Sequence, residues 1–86
     1  TNTLAYFNRA IMYYEQKMYN EAMDDLNRVL RDEPGNALTL YNRGLINAQL
    51  GAYEDAWNDM DRVLNINPEN VLAYFNRASI FIEMGQ

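Results

Sequence analysis

Apolar residues recur along this chain at helical spacing. Leu4, Phe7, Ala10, Ile11 and Tyr14 fall on one face of a 3.6-residue helix. A second stripe follows in Ala22, Leu26, Val29 and Leu30, and returns as Ala56, Met60, Val63 and Leu64. The pattern predicts five helices, near 3–16, 20–32, 37–50, 54–66 and 71–84. Asn2, Asn36 and Asn70 are candidate N-caps for the first, third and fifth, because an asparagine side chain accepts a backbone N–H in the first turn. Gly51 and Gly85 are candidate terminators, since glycine adopts the left-handed conformation without a steric penalty. Lys17 stands where the first helix lacks that glycine. The second stripes open near Asn20 and Glu54 and end at Pro34 and Pro68, because proline cannot continue a helix interior. The connections are short, so neighbouring helices run antiparallel.

These elements repeat. Leu4-Ala5-Tyr6-Phe7-Asn8-Arg9-Ala10 reappears as Leu72-Ala73-Tyr74-Phe75-Asn76-Arg77-Ala78, two steps of 34 residues later. Leu38 to Gly44 supplies the middle step, and Pro34 and Pro68 keep the same beat. A fixed period of this length marks a repeat architecture in which stacked neighbours share their apolar faces. The expected units are 3–36, 37–70 and a partial 71–86, together one domain of residues 1–86. Asn2 lacks the proline that precedes Asn36 and Asn70, and Gln86 falls in mid-repeat, so the chain reads as part of a longer protein.

Charge and composition narrow the function. The net charge is −5, distributed as −2 over residues 3–36, −3 over 37–70 and 0 over 71–86. That balance disfavours nucleic acid and anionic membrane surfaces as partners. No run of about 18 apolar residues is present, so no membrane-spanning helix is expected. Cysteine and histidine are both absent, which removes the thiol nucleophile, the commonest general base and the commonest metal ligand. Ser79 is the only serine, and there is no phosphate-binding glycine loop. No enzyme activity, cofactor or metal is expected. The acidic clusters Glu21-Asp24-Asp25 and Glu54-Asp55-Asp59-Asp61 lack a calcium-loop pattern and read as solvated faces that also suit the helix dipole.

The chain resembles the tetratricopeptide repeat family over nearly its whole length. Ala10, Gly44 and Ala78 match the small residue of the first helix, and Tyr13 and Phe81 the aromatic one turn on, where Asn47 departs. Ala22 and Ala56 match the alanine at the helix crossing, Tyr19 and Tyr53 the loop tyrosine, and Pro34 and Pro68 the terminal proline. Tyr6, Leu40 and Tyr74 replace the usual tryptophan, and Arg9, Arg43 and Arg77 replace the usual leucine. The resemblance implies an all-α, right-handed superhelical solenoid of antiparallel helix pairs, with the first helices lining a concave groove.

By that alignment the groove shows Leu4, Phe7, Asn8 and Ile11, then Leu38, Tyr41, Asn42 and Leu45, then Leu72, Phe75, Asn76 and Ser79. Tyr14, Glu15, Ala48, Gln49, Ile82 and Glu83 extend it. A column of asparagines can grip an extended peptide backbone, because an amide both donates and accepts. The aromatic column Phe7, Tyr41 and Phe75 offers apolar contact. Arg43 is expected to pair with Asp25 or Asp59 as a structural tie, its stem on the core. Some members of the family bind acidic chaperone tails through two asparagines and several basic residues. Here only Asn42 matches that set, while Phe7, Ile11 and Leu72 stand at positions that would need basic or amide groups. The expected function is a non-catalytic protein-protein interaction module that takes a peptide or protein segment in its groove. The alternative is a structural spacer or self-associating scaffold, using the exposed Tyr74, Ala78 and Phe81 of the C-terminal helix.

Overall fold

A computed structural model describes residues 2–85, and Thr1 and Gln86 lie outside the described residues. Among the described residues there are five α-helices: α1 (Thr3–Glu15), α2 (Tyr19–Asp32), α3 (Ala37–Gln49), α4 (Tyr53–Ile66) and α5 (Val71–Glu83). Each expected helix is present, with ends displaced by one residue. Asn36 and Asn70 cap α3 and α5, their side chains accepting from the backbone N–H groups of Thr39 and Ala73 at 3.0 Å. Asn2 corrects the expectation. It occupies the same position before α1 but makes no side-chain cap bond. Its ψ is 43°, against 97° at Asn36 and Asn70, so its carboxamide is not swung over the first turn.

The turns out of α1 and α3 close in the same way. Met18 N–H donates to the Tyr13 carbonyl, and Ala52 N–H to the Asn47 carbonyl, both at 2.8 Å. This six-residue closure requires a left-handed residue just past the helix. Gly51 takes it at φ 79°, and Lys17 takes it at φ 63° despite its side chain. Gly85 adopts it after α5, at φ 81°.

The helices pack as pairs, α1 on α2 and α3 on α4, with α5 resting on α4 and touching α3. Two apolar cores result. Ala10, Ala22, Leu26 and Ile46 form the first, and Leu40, Ala56, Met60, Val63 and Leu64 with Leu30, Ala73 and Ile80 form the second. The crossing of α3 and α4 is tight. A Cβ added to Gly44 would sit 2.9 Å from Met60 Cε and 3.2 Å from Asp59 Cβ. The stack is elongated, 39 × 26 × 17 Å, as expected when each layer contacts only its neighbours. No helix among the described residues is long and apolar enough to cross a membrane.

Candidate functional site

The first helices α1, α3 and α5 leave one row of apolar side chains in solvent. Leu4, Leu38 and Leu72, one per 34 residues, are 71%, 59% and 62% exposed. Two notches repeat along this row. The first, of about 370 Å³, lies between Leu4, Phe7 and Leu38, with Glu33 and Asn36 on its rim. The second, of about 240 Å³, lies between Leu38, Tyr41 and Leu72, with Asn67 and Asn70 on its rim. Glu33 is held by Thr3, whose hydroxyl donates at 3.0 Å, and by the Asn36 amide at 2.9 Å. A further hollow, of about 370 Å³, opens between the C-terminal ends of α3 and α5. Leu45, Ala48, Asn76, Ser79 and Glu83 are among the residues lining it.

The asparagine column is not uniform. The Asn42 amide donates to the Leu38 carbonyl at 2.9 Å, and that of Asn76 to the Leu72 carbonyl at 2.9 Å. Asn76 also donates to the Tyr41 hydroxyl at 2.8 Å, so both its amide hydrogens are engaged. Its side-chain carbonyl oxygen makes no hydrogen bond to the described residues. Asn8 is exposed and lies beside the first notch. The aromatic column is graded as well. Phe7 and Tyr41 are half-buried against the cores, while Phe75 is 67% exposed. Ile11, Leu45 and Ser79 are half-buried, and α1 and α5 each end on an exposed glutamate, Glu15 and Glu83. Neither notch nor the C-terminal hollow has a lysine or arginine in its lining.

The arginines lie away from this row and tie first helices to second. Arg43 donates Nε and Nη2 to the two oxygens of Asp59, at 2.9 and 2.7 Å. Of the two partners expected for Arg43, Asp59 is the one the fold selects. Arg9 makes the same two bonds to Asp25, at 2.7 and 2.8 Å. Both aspartates are buried. These bonds raise the pKa of each guanidinium above its already high ordinary range, against the opposing effect of desolvation. Asn47, also buried, donates to Asp59 at 3.1 Å. Two backward links join layers at positions not expected from the sequence. Arg43 Nη1 donates to Asn27 at 3.1 Å and Arg77 Nη1 to Asp61 at 2.8 Å, each sixteen residues earlier. The signal was present, because Asn27 and Asp61 stand one repeat apart. Among the described residues no group of acidic side chains converges as a metal site would require.

Residues 10–51 match the family described as TPR repeat, and residues 37–70 match the family described as tetratricopeptide repeat. The chain belongs to the tetratricopeptide repeat family. Similar solved structures share its fold. A tetratricopeptide repeat protein from Parabacteroides merdae ATCC 43184 superposes with a TM-score of 0.92 at 33% identity, over 99% of this chain and 33% of its own. MamA from Desulfovibrio magneticus RS-1 gives 0.90 at 24% identity, over 95% of this chain and 46% of its own. The first tetratricopeptide domain of Spaghetti (RPAP3), bound to the HSP90 peptide SRMEEVD, gives 0.90 at 22% identity, over 95% and 65%. This chain therefore spans less than half the length of the first two. Among curated proteins none matches it closely. Within this tetratricopeptide array, the exposed leucine row belongs to the first helices, its notches also take in the ends of the second, and the arginine clasps join the two sets.

Proposed function

We propose that residues 3–36, 37–70 and 71–86 act together as a non-catalytic protein-binding module whose first-helix face takes an extended segment of a partner. The observation that carries this reading is the repeated notch. Two apolar hollows with polar rims, related by the 34-residue period, share Leu38 as a common wall. Adjacent packed helices lie about 8–10 Å apart. A segment in the polyproline II conformation advances about 3.1 Å per residue with three residues per turn, so side chains three residues apart share a face and reach successive notches. The unengaged side-chain carbonyl of half-buried Asn42 or Asn76 would accept a backbone N–H between them.

Charge decides the class of partner. The RPAP3 domain holds a peptide ending in Glu-Glu-Val-Asp. Here the rim residue is Glu33, α1 and α5 end on Glu15 and Glu83, and among the described residues no lysine or arginine forms an ion pair with them. A segment with apolar anchors and flanking lysine or arginine is favoured over an acidic tail. Selection from a displayed peptide library tests this, with Leu38→Ser and the Asn8, Asn42 and Asn76 triple alanine variant in parallel. Peptides with spaced apolar residues, enriched on the parent and lost on Leu38→Ser, are the expected result. Enrichment of acidic peptides, or equal enrichment on folded variants, would overturn it.

A second reading has its own observation. Ala10 and Gly44 are buried beneath the helix that follows them, but their counterpart Ala78 is exposed, as are Tyr74 and Phe81. This face suits self-association with a second copy. Light scattering that shows a mass rising with concentration, and a Phe81→Ser variant that stays monomeric, would support it. A monomer at high concentration would remove it.

A further inference from the structure

The three guanidinium groups of the first helices, Arg9, Arg43 and Arg77, sit in different aromatic settings. Arg9 lies 5.8 Å from the ring centroids of both Tyr6 and Tyr13, which stand three residues before it and four after. Arg77 lies 5.4 Å from both Tyr74, three residues before it, and Trp57, twenty before. Around Arg43 the same three offsets hold Leu40, Asn47 and Met23. None is aromatic, so every position that supplies a ring elsewhere is ringless here.

A hollow of about 310 Å³ lies at this point, walled by α2, α3 and α4. Its lining includes Arg43 together with Met23 and Asn47, two of the three substituted positions. Arg43 is pinned in the plane of its guanidinium, with Nε and Nη2 on Asp59 and Nη1 on Asn27. In-plane bonds fix the orientation of the group and leave its faces for stacking, the geometry in which a guanidinium and an aromatic ring attract. The rim carries Asp55, Asn58 and Arg62, which offer acceptors and donors to a hydroxyl or ring N–H.

We infer that this hollow is a binding site for an aromatic side chain with a polar edge, a tyrosine or tryptophan of a partner protein, stacked on Arg43. The ring missing from the middle repeat is supplied from outside. The site shares no lining residue with the notches of the leucine row and does not depend on the groove reading.

The test is NMR titration of the labelled protein with pentapeptides of sequence Gly-Ser-X-Ser-Gly, where X is tyrosine, tryptophan or leucine, and with p-cresol. Concentrations rise to about 50 mM, beyond the millimolar range that a single side chain reaches. The expected result is saturable shifts at the Arg43 Nε–H and the Asn47 side-chain amide with the two aromatic peptides, none with the leucine peptide, and none at Arg9 or Arg77. Asn47→Tyr restores an internal ring and should weaken the response at least about fivefold. If that variant does not fold, Met23→Trp closes the other wall as Trp57 does at Arg77. No shift with any aromatic peptide, an equal response to leucine, or an undiminished response in a folded ring-restored variant would overturn the inference. Shifts with p-cresol alone would overturn the protein source.

Discussion

Arg43 grips Asp59 with two hydrogen bonds across the α3–α4 crossing, and Asn47 closes on the same carboxylate. Asp59 is only 3% exposed, so loss of Arg43 leaves a buried charge without its counter-ion. We expect Arg43→Ala to destabilise the fold by about 3 kcal/mol. Arg77 and Asp61 are each about a third exposed, and Arg77→Ala should cost under about 1 kcal/mol. Thermal denaturation of the two variants checks the ordering, and an unchanged melting temperature for Arg43→Ala would refute the structural role.

Gly44 separates two helices that nearly touch. Alanine favours a helix over glycine by about 1 kcal/mol, yet here its methyl would press on Met60 Cε at 2.9 Å and Asp59 Cβ at 3.2 Å. Met60 can swing aside, but Asp59 Cβ cannot. Gly44→Ala should lower stability by about 1 kcal/mol or more. Gly44→Ala with Met60→Leu should recover part of it, since Ala10 already faces a layer containing Leu26. Urea denaturation of the single and double variants measures the coupling.

Lys17 holds a left-handed conformation that Gly51 adopts at the equivalent turn. Lys17→Gly should stabilise by about 0.5–1 kcal/mol, relief of strain outweighing the added freedom of the unfolded chain. A fall in melting temperature would show the lysine side chain to be contributing more than its backbone costs.

The caps predict a contrast. Asn36→Ala and Asn70→Ala each remove a bond to a first-turn N–H and should cost about 1 kcal/mol. Asn2→Ala removes none and should leave stability unchanged within error. Helicity by circular dichroism at rising temperature compares all three.

Tyr14 lies beside Tyr19, ring centroids 5.9 Å apart, and burial pushes its phenol above the ordinary value of 10.0. A group whose folded pKa exceeds its unfolded one favours folding while protonated. Its contribution is therefore intact below pH 10 and lost as pH rises through the folded pKa. Ultraviolet titration should show Tyr14→Phe removing a phenol that titrates above its ordinary value and flattening the decline in stability above pH 10.

The sequence alone determined the helices, their period and most of the core, because these depend on local spacing. Ala22, Leu26, Val29 and Leu30 announce a buried stripe, and Pro34 and Pro68 its end, with no knowledge of neighbours. The exposed row of Leu4, Leu38 and Leu72 was legible once the 34-residue beat was seen. Only the tertiary structure decided the rest. It chose Asp59 over Asp25 for Arg43, since a guanidinium finds its carboxylate by distance and not by spacing. It engaged both amide hydrogens of Asn76, one with a carbonyl four residues back and one with a tyrosine thirty-five residues away. It also turned Met23, Asn47 and Leu40 from three unremarkable substitutions into one ringless setting around Arg43. That consequence appears only when α2, α3 and α4 pack into one layer, because it belongs to the space between helices and not to any one of them.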